Sequence, residues 1–163
     1  MKEKVYIVVV NFNNYKDTIE CLESIIKQDF NNYQIIVIDN SSTGSHLDQI
    51  HEWSSGNYHE EIDTLFPDII YPLVNKPVEV IKLNEQDLFE RALEEKLILV
   101  KAKQNKGFAA ANNIGLQYVK NFGKDSDLIW LLNNDTVISK SSISEIINAI
   151  NSLEYSNNNV IYG

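Results

Sequence analysis

The sequence predicts an α/β domain built around a mainly parallel sheet, and two observations lead to this prediction. First, continuous apolar runs, typical of strands buried on both faces, occur at Val5–Val10, Gln34–Asp39, Leu97–Lys101 and Asp127–Leu132. Second, segments with apolar residues at helical spacing separate these runs. Strands that alternate with helices usually form a parallel sheet covered on its faces by those helices.

The N-terminal third follows this pattern closely. After the first strand, Asn11–Asn14 breaks the apolar run, and a helix is predicted from Tyr15 to Gln28. Its apolar stripe consists of Ile19, Leu22, Ile25 and Ile26. The second strand ends in the polar loop 40–44, and a short helix is expected from about Ser45 to Trp53.

An irregular insertion is predicted at about residues 54–96. Its first part has no clear period and contains Pro67 and Pro72, whereas Val78–Leu83 is predicted as a strand and Glu85–Lys96 as a helix. Its apolar residues are expected to pack a small added subdomain, or else to form a surface for a partner or acceptor. They are Trp53, Leu65, Phe66, Ile69, Ile70 and Tyr71.

The C-terminal part returns to the alternating pattern. A helix is predicted over Phe108–Phe122, and a last helix, capped by Ser139 or Ser141, is expected to run to about Leu153. Residues Asn159–Tyr162 resemble the opening of one more strand.

Composition excludes several classes of protein. The 163 residues carry a net charge of −9, which argues against a nucleic-acid partner because phosphate binding requires a basic face. The single cysteine, Cys21, excludes an internal disulfide framework and is expected to be a buried thiol on a helix face. No apolar run approaches the length of a transmembrane segment, and no leader is visible, so a cytoplasmic location is expected, with the inner face of the membrane as an alternative.

Polar side chains follow four of the predicted strands. Because ligands of parallel sheets bind beyond the carboxyl ends of the strands, these positions define the expected site. The segment Asn11–Asn14 lacks the glycines of a dinucleotide-binding turn, no P-loop motif is present, and the acidic pair of a phosphorelay receiver is missing. Amides, hydroxyls and a carboxylate at the strand ends instead suit a polyhydroxylated, phosphorylated ligand.

Four segments, in this order, carry a family resemblance: VYIVVVNFNNYKDTIECLESIIKQ, YQIIVIDNSS, NKGFAAANNIG and LIWLLNNDT. They resemble family 2 glycosyltransferases with the GT-A fold, most closely the rhamnosyltransferase-like branch. The resemblance covers residues 4–45 and 97–163. It implies a Rossmann-like nucleotide-diphospho-sugar transferase sandwich, truncated on its C-terminal side, with residues 1–163 as a single donor-binding domain.

The resemblance also implies roles for individual residues. Asp39 corresponds to the acid that accepts a hydrogen bond from the nucleobase ring N–H, which suits uracil or thymine because an ionised carboxylate only accepts. The other residues expected to bind the nucleotide-sugar are Asn11, Asn13, Asn105, Lys106, Gly107, Asn112, Asn113, Asn133 and Asn134. Gly107 is expected to allow close backbone approach at a helix N-terminus that favours negative charge.

A metal site is implied at the fourth segment. Asn133-Asn134-Asp135 matches the family's Asp-x-Asp motif with its first acid replaced, so Asp135 is expected to bind a divalent cation, Mg²⁺ or Mn²⁺. With one carboxylate missing, the metal is expected to bind weakly without the donor's diphosphate.

The implied activity is inverting, metal-dependent transfer of a sugar from a UDP- or dTDP-sugar to a polysaccharide or glycolipid acceptor. No general base is identified, because Glu145 and Glu154 are more simply solvated helix acids and the family's base lies further along the chain. The chain is therefore expected to be the donor-binding half of such an enzyme. Two alternatives stay open: a non-catalytic binding or scaffold module on the same fold, and a sugar-phosphate nucleotidyltransferase, which normally has a glycine-rich basic loop after strand one.

Overall fold

The computed structural model describes residues 3–41 and 45–152. The strands of this part are β1 (Val5–Asn11), β2 (Tyr33–Asp39), β3 (Val80–Asn84), β4 (Leu97–Lys101) and β5 (Leu128–Asn133). The helices are α1 (Tyr15–Ile26), α2 (Ser45–Ser55), α3 (Pro67–Ile70), α4 (Phe108–Phe122) and α5 (Ser142–Ser152), with one 3₁₀ turn at Asp87–Phe89.

The strands form one sheet in the order β3-β4-β2-β1-β5, and every pairing in it is parallel. The predicted α/β class with a mainly parallel sheet is therefore confirmed. The residues from 80 to 84, inside the predicted insertion, supply the edge strand β3. Because all five strands point the same way, their carboxyl ends meet at one edge of the sheet.

Two apolar layers cover the two faces of the sheet. Successive side chains of a strand point to opposite faces, so Ile7 and Val9 pack in the layer of α1 and α2, whereas Val8 packs in the layer of α4. Every residue of β1 and β2 is buried, as their unbroken apolar runs predict. Each fully buried aliphatic side chain contributes roughly 1.5–3 kcal/mol to stability.

A buried carboxylate ties the segment after α2 to α1. Glu23 lies on α1 and is fully buried, and its carboxylate accepts hydrogen bonds from Trp53 Nε1 (2.9 Å), the backbone N–H of Val74 (2.8 Å) and Lys76 Nζ (2.9 Å). Of the apolar residues expected in a subdomain or surface, Trp53 and Ile70 belong to the main core. Leu65 and Phe66 are exposed instead.

The helix predicted over Glu85–Lys96 is wrong: apart from the 3₁₀ turn, this segment is irregular. Tertiary hydrogen bonds occupy backbone groups that a helix would use. The N–H of Leu93 donates to the Tyr118 hydroxyl, and the Gln34 amide donates to the carbonyls of Leu93 and Glu95. The apolar spacing suggested a helix, but in the structure Leu88 and Leu93 are buried from an irregular segment.

The strand predicted at Asp127–Leu132 exists, but the expectation that it is buried on both faces is wrong. β5 is the last strand of the sheet, and Ile129 and Leu131 are exposed on the α4 face. Only its opposite face, with Trp130 and Leu132, packs against the core. A continuous apolar run therefore does not by itself distinguish a central strand from an edge strand.

The last described helix begins at Ser142, directly after the predicted cap Ser141, whose hydroxyl lies 2.6 Å from Glu145 Oε1. The strand predicted at Asn159–Tyr162 lies outside the described residues. Among the residues that the structure describes, no helix combines the length and the apolar composition needed to span a bilayer.

Candidate functional site

The carboxyl edge of the sheet brings together polar residues from three central strands. Asn11 at the end of β1 pairs in register with Asp39 at the end of β2, and Asp39 pairs with Lys101 at the end of β4. The three side chains therefore lie side by side in the row where parallel sheets bind their ligands.

The Asp39 carboxylate is the centre of this row and is fully buried. Its Oδ1 accepts hydrogen bonds from Asn11 Nδ2 at 2.8 Å and from the backbone N–H of Ser41 at 3.2 Å. Its Oδ2 accepts from Lys101 Nζ at 2.8 Å, and Lys101 Nζ also donates to the Ser41 carbonyl oxygen at 2.6 Å. Both carboxylate oxygens thus accept hydrogen bonds from the protein. A ligand can bind Oδ2 only if the Lys101 side chain moves away, or if Oδ2 accepts from the ligand and from Lys101 together.

The hydrogen bonds continue from Asn11 towards β5. The Thr18 hydroxyl on α1 donates to Asn11 Oδ1 at 2.8 Å, and Asn134 Nδ2, after β5, donates to Thr18 Oγ1 at 3.1 Å. Thr18 is buried, so its hydrogen bond to Asn11 is shielded from water, whereas the bond from Asn134 is partly buried. One connected cluster of polar side chains therefore joins the ends of β4, β2, β1 and β5.

A second link joins the end of β2 to the loop before α4. Asn40 Nδ2 donates to Asn105 Oδ1 at 2.9 Å and to the Gly107 carbonyl oxygen at 3.4 Å. Asn105 Oδ1 also accepts from the N–H of Gly107 at 3.0 Å. The predicted residues Asn105 and Gly107 are thus fixed against the strand that carries Asp39.

The loop after β1 presents the predicted residue Asn13 beside this cluster. Asn13 has φ 54°, a left-handed conformation that asparagine tolerates better than most residues, and its N–H donates to Ser41 Oγ at 3.0 Å. The neighbouring Phe12 is 52% exposed, which leaves an aromatic ring at the rim of the cluster.

The start of α4 holds the other predicted residues. Gly107 adopts φ 92° and ψ 173° as the N-cap, and an added Cβ would meet no atom within 4 Å. Its conformation, rather than a close contact, therefore requires glycine within the chain. Asn112 is buried, and its amide donates to the Phe108 carbonyl at 3.2 Å, so its side chain bonds back to the preceding turn of its own helix. Asn113 and Lys106 are exposed.

The predicted metal motif follows β5. Asp135 and Asn133 are exposed, and Asn134 directs its amide nitrogen towards Thr18 and the Asn14 carbonyl. The side-chain oxygen Oδ1 of Asn134 accepts no hydrogen bond from a described residue. The segment after β5 therefore offers the Asp135 carboxylate and the Asn134 amide oxygen in neighbouring residues. Hard divalent cations prefer such oxygen ligands, and two protein ligands suffice where phosphates complete the shell. Within residues 3–41 and 45–152, no group of three or more His, Cys, Asp or Glu side chains forms a site that holds a metal alone.

Sequence reasoning missed Lys101, Thr18 and Ser41 as members of the cluster. Lys101 is the last residue of β4, Thr18 lies in the first turn of α1, and Ser41 follows the end of β2. No sequence motif distinguishes these three residues from ordinary solvent-facing ones. Cys21 is buried as expected, and burial raises the pKa of its thiol to about 12. It is therefore protonated near neutral pH and does not act as a nucleophile.

Comparisons with known proteins relate this chain to a family of glycosyltransferases. Residues 6–64, from β1 to the segment after α2, match the sequence model of glycosyl transferase family 2. The resemblance to family 2 glycosyltransferases is confirmed. A comparison with curated protein sequences gives no match. Assignment to the rhamnosyltransferase-like branch stays a prediction.

Two crystal structures of S. aureus TarS share the fold. The structure of residues 1–349 aligns with a TM-score of 0.55 at 16% identity, over 91% of this chain and 32% of that chain. A second TarS structure aligns with a TM-score of 0.53 at 18% identity, over 91% of this chain and 19% of that one. At these identities the likeness shows the fold alone, and it confirms the predicted GT-A arrangement. The present chain spans about a third and about a fifth of the lengths of these two chains.

Proposed function

We propose that this chain binds the donor of a sugar-transfer reaction, a UDP- or dTDP-sugar, at the carboxyl edge of its sheet. The observation that carries the proposal is the single hydrogen-bonded cluster that joins the ends of β4, β2, β1 and β5 around Asp39. The cluster offers carboxylate, amide, hydroxyl and ammonium groups, which are the groups that recognise a nucleobase, ribose and diphosphate. The family match at residues 6–64 includes the ends of β1 and β2.

The nucleobase is proposed to lie against Asp39 and Lys101. Uracil and thymine present a ring N–H between two carbonyl oxygens, so a carboxylate accepts from the N–H while an adjacent ammonium group donates to a carbonyl. Lys101 Nζ lies 2.8 Å from Asp39 Oδ2, and the lysine side chain is 27% exposed, so it has room to shift and share that oxygen with a base. The exposed ring of Phe12 offers a surface on which a base can stack.

The diphosphate is proposed to lie between the start of α4 and Asp135. The α4 N-terminus has free backbone N–H groups and favours negative charge, and Lys106 adds a positive charge next to it. Asp135 and the Asn134 carbonyl oxygen are the protein ligands proposed for Mg²⁺ or Mn²⁺. When bound, the cation neutralises charge that develops on the leaving nucleoside diphosphate.

Transfer with inversion to a polysaccharide or glycolipid acceptor is proposed for the complete enzyme. An acceptor hydroxyl needs a general base, and the described acid after the metal motif, Glu145, already contacts the Ser141 hydroxyl on the surface of α5. We therefore assign no base, and we assign donor binding rather than turnover to this chain. An acid beyond Ser152 is expected to supply that step.

Isothermal titration calorimetry tests the proposal. UDP and dTDP are expected to bind in the presence of Mn²⁺, and CDP is expected to bind at least tenfold more weakly because cytosine lacks the ring N–H. GDP shows whether the larger guanine ring, which also has an N–H beside a carbonyl, is excluded by size. Absence of metal-dependent binding to all four nucleotides would overturn the proposal. Donor hydrolysis or transfer by the isolated chain would instead show that the catalytic groups are complete, and would exclude a non-catalytic module.

A further inference from the structure

The segment 60–73, which lies between α2 and β3 and contains α3, runs alongside α1 in the same direction. Near the start of α1, Lys16 Nζ lies 2.8 Å from the carboxylate of the first residue of this segment. Further along α1, Glu20 accepts a hydrogen bond from the Thr64 hydroxyl, and directly after α1, Lys27 Nζ donates to the carbonyl oxygens of residues 69 and 70. The segment is therefore held against α1 over about 16 Å, at about 1.5 Å per helix residue.

Four large apolar side chains of this segment are exposed. They are Leu65, Phe66, Tyr71 and Leu73. Leu65 is 91% exposed, so it contributes almost nothing to the core. Single exposed apolar side chains are common on protein surfaces, whereas several on one short segment indicate a surface that contacts another molecule.

Hydrogen bonds within the segment order the backbone that carries these side chains. The Tyr71 hydroxyl donates to the Ile62 carbonyl oxygen at 2.8 Å, and the N–H of Phe66 donates to the Thr64 hydroxyl at 2.9 Å. A partner therefore meets apolar side chains on a backbone that is already fixed. Such preorganisation lowers the entropic cost of binding.

The same segment is acidic. Residues 60–73 contain four acids and no Lys, Arg or His. Glu60 pairs with Lys16, but no salt bridge to the other three acids occurs among the described residues. These three acids, Glu61, Asp63 and Asp68, are exposed. The surface of the segment is therefore both apolar and negatively charged.

The spacing of the exposed apolar side chains matches the turns of a helix. Leu65 is next to the residue that contacts Glu20, and Tyr71 is next to a residue that contacts Lys27. Glu20 and Lys27 are seven residues apart, which is about 10 Å along α1. Residues i and i+7 of a partner helix are separated by the same distance, so a helix with apolar residues at i, i+3 or i+4, and i+7 fits this surface.

The charge of the segment favours a cationic partner over other occupants. A second copy of this chain carries the same acids and the same net charge of −9, so pairing two such surfaces brings like charges together. Anionic lipid headgroups are repelled for the same reason. A basic segment with an apolar stripe instead complements both properties of the surface.

We propose that residues 60–73 form a docking surface for a basic amphipathic helix of a partner protein. The apolar stripe of that helix packs on Leu65, Phe66, Tyr71 and Leu73, and its Lys or Arg side chains pair with the acids of the segment. The proposal does not depend on the donor site proposed above.

Fluorescence anisotropy with a designed peptide tests the surface on the full chain. The probe is a fluorescein-labelled amphipathic helix of leucine and lysine, about 14 residues or about 20 Å long. It is expected to bind with a Kd near 10 μM at low salt. A scrambled peptide of the same composition, which has the charge without the apolar stripe, is expected to bind at least tenfold more weakly. A leucine–glutamate peptide is expected not to bind. Absence of saturable binding, or equal binding of the scrambled peptide, would overturn the proposal.

Variants locate the binding on the segment. Leu65→Ser is expected to raise the Kd of the peptide at least fivefold, whereas Leu131→Ser, at another exposed leucine, leaves it unchanged. Asp63→Asn is expected to raise the Kd about threefold, and Asp125→Asn, which removes the same charge elsewhere, is expected to have no effect. An unchanged Kd for Leu65→Ser, or equal effects of the two aspartate variants, contradicts the proposal.

The other occupants are tested with the same pair of proteins. Sedimentation velocity that shows a dimer in the native chain and a monomer in Leu65→Ser would assign the surface to a second copy and overturn the proposal. Binding to phosphatidylglycerol vesicles that Leu65→Ser abolishes would assign it to the membrane, with the same consequence. Leu65→Ser is expected to bind UDP as the native chain does, so failure at this surface is distinct from failure of the donor site.

Discussion

The Asp39 carboxylate and the Lys101 ammonium group lie 2.8 Å apart at the ends of neighbouring strands, and they differ in burial: the aspartate side chain is 0% exposed and the lysine side chain 27%. The lysine can therefore turn towards water, whereas the aspartate cannot. This difference in burial determines whether a substitution of one partner leaves the other charge buried or exposed to water.

Lys101→Met is expected to destabilise the protein more than Asp39→Asn. The first leaves a fully buried carboxylate without its cation, at a cost of about 3 kcal/mol, whereas the second leaves a lysine that reaches solvent, at a cost of about 1–2 kcal/mol. The double variant is expected to be more stable than Lys101→Met alone. Urea denaturation of the four proteins measures this coupling, and equal losses for the two single variants would contradict it.

Glu23→Gln is expected to destabilise the protein by about 2–4 kcal/mol. The buried carboxylate binds Trp53, Val74 and Lys76 at once, and a neutral amide leaves the Lys76 ammonium group, which also lies 3.8 Å from the Trp53 ring centroid, without its counter-charge. Chemical denaturation gives the magnitude. The matched control is Glu60→Gln, in the exposed pair with Lys16, which is expected to leave the midpoint unchanged.

Substitution of Gly107 or Gly115 by alanine is expected to destabilise the protein, for a different reason at each position. At Gly107 the backbone conformation is the obstacle, since φ 92° with ψ 173° is strained for any side chain, at a cost of about 1–3 kcal/mol. At Gly115 the obstacle is space, because a Cβ would lie 2.7 Å from Val8 Cγ1. In a Val8→Ala background the penalty of Gly115→Ala is expected to shrink, while that of Gly107→Ala stays the same. Thermal unfolding of the six proteins distinguishes the two causes.

Asp135→Ala is expected to abolish the metal dependence of nucleotide binding and to leave the fold intact, because the side chain is exposed and holds no described element in place. UDP affinity with and without Mn²⁺ is expected to differ at least tenfold in the native chain and to be equal in the variant. Asp125→Ala, an exposed acid before β5, is the control and retains the difference. Retention of the difference in Asp135→Ala would place the metal elsewhere.

Stability is expected to rise with pH between about 8 and 10 because of Lys96. Burial lowers the pKa of this lysine to about 8, from 10.5, so in this interval the unfolded chain binds more protons than the folded one. Above pH 10 the trend reverses, since burial raises the pKa of Tyr6 to about 12 and the unfolded tyrosine loses its proton first. Lys96→Met is expected to flatten the rise. Unfolding midpoints measured from pH 7 to 10 check the slope, and an equal slope in the variant would exclude Lys96 as its source.

Local patterns predict most of the regular elements of this fold. β4 (Leu97–Lys101) and α4 (Phe108–Phe122) begin and end at the predicted residues, because a β-branched run and a helical stripe each depend on neighbours in the sequence. The segment Glu85–Lys96 fails for the opposite reason: Gln34 and Tyr118, distant in sequence, take its backbone hydrogen bonds. The order of the strands, which leaves Ile129 exposed at an edge, is likewise a property of the whole sheet.

In the candidate site, too, some features follow from local sequence and others depend on residues that are distant in the chain. The sequence predicts that Asn11 and Asp39 lie at one edge, because both end buried strands. It does not predict that they bond to each other, or that Lys101 completes the pair, because both facts depend on the register between strands. The role of Thr18 is not predictable from local sequence either, because it depends on how α1 packs against the end of β1.

The hydrogen bonds that lead from Asn134 to Asp39 all run in one direction. Asn134 donates to Thr18, Thr18 donates to Asn11, and Asn11 donates to Asp39, so the dipoles stand head to tail with the anion at their end. Reversing either amide would turn an oxygen towards an oxygen, so the charge of Asp39 fixes the polarity of the whole row. That polarity commits Nδ2 of Asn134 to the row and leaves its Oδ1, in the residue next to Asp135, without a hydrogen bond from a described residue, more than one strand away from the charge that orients it.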